Sequence, residues 1–168
     1  SPRCRDVAAG KIALGIAVTI VLTAMGIGTY RQMGYWKNSS DLFTHAINVT
    51  QSNYIAHEHL AQELYKQGNP ALAIEHYKKV LEINPYYAEA HNNRGIVYSK
   101  LGRWQEAIKD FGQAIRIKPD FAEAYNNLGI VMKAQGNYNQ AIENFARVVR
   151  LQPDAVEPRN DLALLIVK

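Results

Sequence analysis

The sequence predicts an all-α solenoid of stacked helix pairs behind an N-terminal transmembrane helix. Three observations predict it. Residues 54–87, 88–121 and 122–155 repeat with a period of 34, which is the length of one helix–turn–helix unit. Each unit carries a glycine at its internal turn (Gly68, Gly102, Gly136) and a proline near its exit (Pro85, Pro119, Pro153). Ahead of the repeats, Ile12–Tyr30 runs 19 residues without a charge.

Charge and cysteine content narrow the function classes. The net charge is +4, but residues 54–155 hold twelve Lys/Arg against eleven Asp/Glu. The excess lies in residues 1–53, five against two, around the apolar segment. Nucleic-acid binding needs a clustered basic surface, and the repeats offer none. Cys4 is the single cysteine, so no internal disulfide forms. It reads as a juxtamembrane thiol, with reversible acylation as the alternative. The chain opens at Ser1 without Met, as expected of a processed chain or a piece of a longer one.

Residues 1–11 form an N-terminal flank. Residues 12–30, bounded by Lys11 and Arg31, would span about 28 Å as a helix, close to the roughly 30 Å hydrocarbon core. A cleaved signal peptide is the competing reading, though no small-residue cleavage site follows. Gly15, Thr19 and Thr23, like Ala24 and Gly28, recur every fourth residue and suit packing against other transmembrane helices. Arg3, Arg5 and Lys11 precede the helix; Arg31 and Lys37 follow it. That balance leans toward repeats on the extracytoplasmic side, periplasmic or luminal.

Residues 35–53 align by the same period as the second helix of a half repeat. Trp36, Ser39, Phe43 and Ala46 fall on Trp104, Ala107, Phe111 and Ala114. Trp36 suits either an interfacial belt or a core slot shared with Trp104. Gln51 stands where later units have proline, so the turn there is less firmly specified.

In the full units, Ala61, Gly95 and Gly129 are small and let the paired helix approach. Tyr77, Phe111 and Phe145 lie four residues after Ala73, Ala107 and Ala141 and share their face. Arg94 replaces the leucine of its equivalents and should run its stem over apolar surface. Residues 156–168 form a final capping helix whose Leu162, Leu164, Leu165 and Ile166 should shield the last repeat.

These motifs resemble the tetratricopeptide-repeat (TPR) family. The resemblance implies a right-handed superhelix: a half repeat, three full repeats and a capping helix. It also implies protein or extended-peptide binding on the concave face, which first helices line. By repeat position the contact residues are Glu58, His59, Gln62 and Lys66; Asn92, Asn93, Ile96 and Lys100; Asn126, Asn127, Ile130 and Lys133. Asn93 and Asn127 resemble the slot that forms a backbone-gripping asparagine ladder in the TPR superhelix of O-GlcNAc transferase. An amide suits that role because it donates and accepts at once. With His59 before and Asp161 after, the ladder has two rungs. Solvated consensus asparagines are the alternative.

No catalytic constellation is visible. There is no phosphate loop, nucleophile elbow or dinucleotide fingerprint. His57 and His59 are too close for a metal-binding H-E-x-x-H, so His45, His57, His76 and His91 read as structural or surface histidines. No metal or cofactor is expected. Asn38 and Asn48 head N-glycosylation patterns that matter only on a luminal face.

The junction Tyr30–Phe43 is similar to the join between the last membrane helix and first TPR helix of polytopic glycosyltransferases, the transmembrane-and-TPR O-mannosyltransferases. That resemblance implies a non-catalytic, substrate-recruiting tail. Two readings stand beside it: a membrane-anchored binding module, and a single-pass assembly scaffold.

Overall fold

The computed structural model describes residues 39–50 and 52–166. Among these, eight α-helices and no strand form. They are α1 (Ser39–Val49), α2 (Tyr54–Lys66), α3 (Pro70–Ile83), α4 (Ala88–Lys100), α5 (Trp104–Ile117), α6 (Ala122–Ala134), α7 (Tyr138–Leu151) and α8 (Val156–Ile166). The apolar segment 12–30, the junction through Trp36 and the first glycosylation pattern's Asn38 lie outside the described residues. Among the described residues no helix is long and apolar enough to cross a membrane.

Each helix packs chiefly on the next in sequence, most closely within the pairs α2–α3, α4–α5 and α6–α7. The turn inside each pair needs a residue at positive φ. Gly68, Gly102 and Gly136 supply it at +80°, +71° and +77°, where a side chain would be strained. Pro70 opens α3 at its first position, where the missing N–H costs nothing. The turn before α2 lacks the proline and is built differently. Ser52 takes φ 57°, and the Asn53 side chain accepts from the Ala56 N–H at 2.9 Å, capping α2.

The core follows from the small-residue slots. Phe111 and Phe145 are buried, with Ala107 and Ala141 beside them. A Cβ at Gly95 would lie 2.7 Å from the Phe111 ring, and one at Gly129 would lie 2.8 Å from the Phe145 ring. Those rings rest on bare backbone. In the first pair the slot holds Ala61 and the ring is Tyr77, both buried.

Two expectations are corrected. Trp104 begins α5 and is 37% exposed, so its slot is a helix entrance and not core. In α8, Leu162 and Leu165 pack on Ala141 and Phe145, while Leu164 and Ile166 stay exposed. Residues three apart share a helical face and those between them do not.

The glycines give a paired test. Gly95→Ala should lower unfolding free energy in urea by about 1–2 kcal/mol, because overpacking the Phe111 ring outweighs the gain in helix propensity. Gly112→Ala, inside α5 with nothing within 4 Å of the added carbon, should raise it by about 0.5–1 kcal/mol. Equal shifts of one sign would show that the close approach at Gly95 is not what the site requires.

Candidate ligand groove

The groove arises where repeat one meets repeat two. α2 contributes Gln62, Tyr65 and Lys66, α3 contributes Tyr77, and α4 contributes Asn93 and Ile96. Together they line a hollow of about 300 Å³. Residues 62 and 66 share a helical face, as do 93 and 96. Burial, the Glu58 carboxylate and Tyr65 push the Tyr77 phenol well above its ordinary value. It stays neutral and lines the floor as an apolar ring with one hydroxyl.

Four residues expected from the sequence therefore converge: Gln62, Lys66, Asn93 and Ile96. The others are placed elsewhere. His59 is stacked under the Phe43 ring of α1, centroids 4.8 Å apart. Asn126 lines a second hollow, about 480 Å³, between α6, α7 and α8. Lys133 pairs with Asp161 of α8 at 2.6 Å. Lys100 and Ile130 are exposed on α4 and α6.

Asn92 differs most from expectation. It is 1% exposed, and its amide is consumed between repeats. Its Nδ2 donates to Glu123 Oε1 at 3.0 Å, and its Oδ1 accepts from Asn127 Nδ2 at 3.0 Å. The equivalent residue in repeat one, Glu58, is also buried and accepts from the Tyr87 hydroxyl at 2.7 Å. This slot ties a first helix to the next first helix or, for Glu58, to that helix's N-cap residue Tyr87, instead of facing a ligand. Of the two expected rungs, Asn93 lines the groove while Asn127 spends its amide N–H₂ on Asn92.

Reading by repeat position missed three features. Tyr65 lines the groove, yet its equivalents are Ser99 and Lys133, so the period carried no signal. His57 meets His76 across α2 and α3. Arg94 does not merely extend over apolar surface. Its Nε and Nη2 donate to Asp110 Oδ2 and Oδ1, each at 2.7 Å. Asp110 is 3% exposed and also faces His91 Nδ1 at 3.4 Å. Burial alone would raise the Asp110 carboxyl, but the Arg94 and His91 contacts outweigh it and hold it below the usual range. A signal existed in the sequence. The repeat that replaces Leu with Arg94 also replaces His76 or Asn144 with Asp110.

Stacked helix pairs with a groove on their first-helix face define a class: helical-repeat scaffolds that present a surface. Residues 61–102 and 97–136 match the TPR repeat model, and residues 122–155 match the tetratricopeptide-repeat model. The matches span more than half of the 168 residues, and the chain belongs to the tetratricopeptide-repeat family. No curated protein matches the chain. Among solved structures, it resembles the first TPR of Spaghetti (RPAP3) bound to the HSP90 peptide SRMEEVD, at 25% identity and TM-score 0.66, over 72% of this chain and 96% of that one. MamA aligns at 23% identity and TM-score 0.73, covering 83% of this chain and 81% of that one. The Arabidopsis OM64 TPR domain aligns at 20% and 0.65, covering 68% and 94%. The last two likenesses speak for the fold alone.

Removing one partner of a buried pair strands the other. Arg94→Ala should cost about 3–5 kcal/mol in chemical denaturation. Arg94→Leu with Asp110→Asn copies the third repeat's Leu128 and Asn144 and should recover most of that loss. A double variant as unstable as Arg94→Ala would refute the exchange.

Proposed function

We propose that this chain is a membrane-anchored TPR module that holds an extended segment of a partner protein in the groove between repeats one and two. The observation that carries the reading is the convergence of Gln62, Lys66, Asn93 and Ile96 with Tyr65 and Tyr77 around one hollow. The two tyrosines and Ile96 offer a pocket for one apolar side chain. The amides of Gln62 and Asn93 can donate to and accept from main chain without reading side chains. Lys66 in the lining, whose exposed pairing with Glu63 at 2.9 Å is readily exchanged, favours a carboxylate beside that apolar residue. The RPAP3 domain, whose peptide contains consecutive glutamates, Val and Asp, supports this ligand chemistry.

The anchor rests on Ile12–Tyr30, and the extracytoplasmic side rests on the flanking charges. The Tyr30–Phe43 junction favours a second reading: the module recruits protein substrate for a membrane glycosyltransferase whose active site is not in this chain. A reporter active on one side of the membrane, fused after Lys168, assigns the side; activity on the cytoplasmic side excludes the luminal context.

Fluorescence polarisation against a heptapeptide panel that includes SRMEEVD tests the groove. Asn93→Ala should weaken binding about tenfold, the equivalent of one hydrogen bond at about 1.4 kcal/mol. Ile96→Glu should abolish it, with helical circular dichroism unchanged in both. Peptides that bind wild type and both variants equally place the ligand elsewhere.

A further inference from the structure

His57 of α2 and His76 of α3 meet head to head. Their Nδ1 atoms are 2.9 Å apart, with ring centroids at 5.1 Å. The centroids lie almost as far apart as that nitrogen spacing permits, so the bond runs nearly in line. One ring donates an Nδ1–H and the other accepts on its lone pair. A metal ion has no room between the two nitrogens.

The pair tolerates one added proton and not two. The first goes to the outer nitrogen of the donor ring and leaves the N–H···N bond in place. The second has only the accepting Nδ1 left to occupy, so two N–H groups then face each other inside a helix pair. Burial depresses both rings below the ordinary imidazole value of 6.5. Lys79 adds to this at His57 and is partly offset by Glu82. At His76, His57 adds to it and Glu75 partly offsets it. Lys79, Glu82 and Glu75 are all on α3.

The same slot is filled differently in the other repeats. Repeat two has His91 facing the Asp110 carboxylate, and repeat three has Tyr125 and Asn144. Among the described residues, only repeat one places two titrating bases against each other in this slot. Its helices also carry the Tyr65 and Tyr77 side of the groove, and Tyr77 follows His76 directly.

We propose that the His57–His76 pair is a proton-operated latch: double protonation separates α2 from α3 and opens the Tyr65–Tyr77 wall of the groove. The latch stands on the pair itself; only its use in releasing a ligand rests on the peptide-binding reading. The folded state binds fewer protons than the unfolded one, so the stabilisation is complete above about pH 6.5 and falls as pH drops below it.

Hydrogen exchange of the full chain at pH 7.5 and 5.0, corrected for intrinsic rates, tests the latch without any ligand. Peptides from α2 and α3 should lose protection about tenfold relative to those from α6 and α7. His76→Asn, and separately His57→Tyr with His76→Asn, the third-repeat pair, should abolish that difference. Uniform loss along the solenoid overturns the latch, as does an acid response that survives in either variant with native circular dichroism. Because no peptide is added, failure here is separable from failure to bind one.

Discussion

The approach of an aromatic ring to bare backbone sets the spacing of this solenoid. Phe111 and Phe145 lie against Gly95 and Gly129 so closely that even a methyl group would intrude. A close-packed interior answers a volume change of one carbon with strain, so this contact fixes how near two helices run. Everything else is placed relative to it: the Ala107 and Ala141 faces, the burial of Val97 and Val131, and the register in which first helices present their polar residues. Repeat one reaches the same end with other parts. Ala61 and Tyr77 share the space, and the tyrosine brings a hydroxyl close to the groove.

Around that fixed frame, the polar slots vary in matched sets. Position 94 and position 110 change together, from a leucine with a neutral polar partner to an arginine with a buried carboxylate. The slot of Glu58 and Asn92 changes its residue and its partner but keeps its job, holding one first helix to the next one or to its N-cap. A buried polar group is costly unless its partners are in place. Such slots can therefore drift only in pairs, and the pairs make otherwise similar repeats distinct. The groove falls where repeats one and two differ most.

The architecture was legible because a period of 34, with glycine, alanine and proline in register, constrains backbone and packing at once. Gln62 with Lys66, and Asn93 with Ile96, were legible because helical spacing sets each pair on one side of its helix, and repeat position put the two first helices on the same side. Asn92 was not. Its partners Glu123 and Asn127 lie on the next repeat, and whether a side chain reaches them depends on the rotation between repeats, which no single helix encodes. Tyr65 escaped for the opposite reason: it breaks the repeat pattern, so alignment hid it. The His57–His76 contact joins two helices of one pair across 19 residues and needed their relative rotation to be seen.

The inter-repeat ties share one property. Asn92 to Glu123, Asn92 to Asn127 and Lys133 to Asp161 span between 28 and 35 residues. Each tie therefore reaches one neighbour and no further. Under tension applied along its axis, a chain held this way yields one unit after another, as cooperativity between nearest neighbours implies. It behaves as an extensible link whose force response is set by its weakest junction and not by its length.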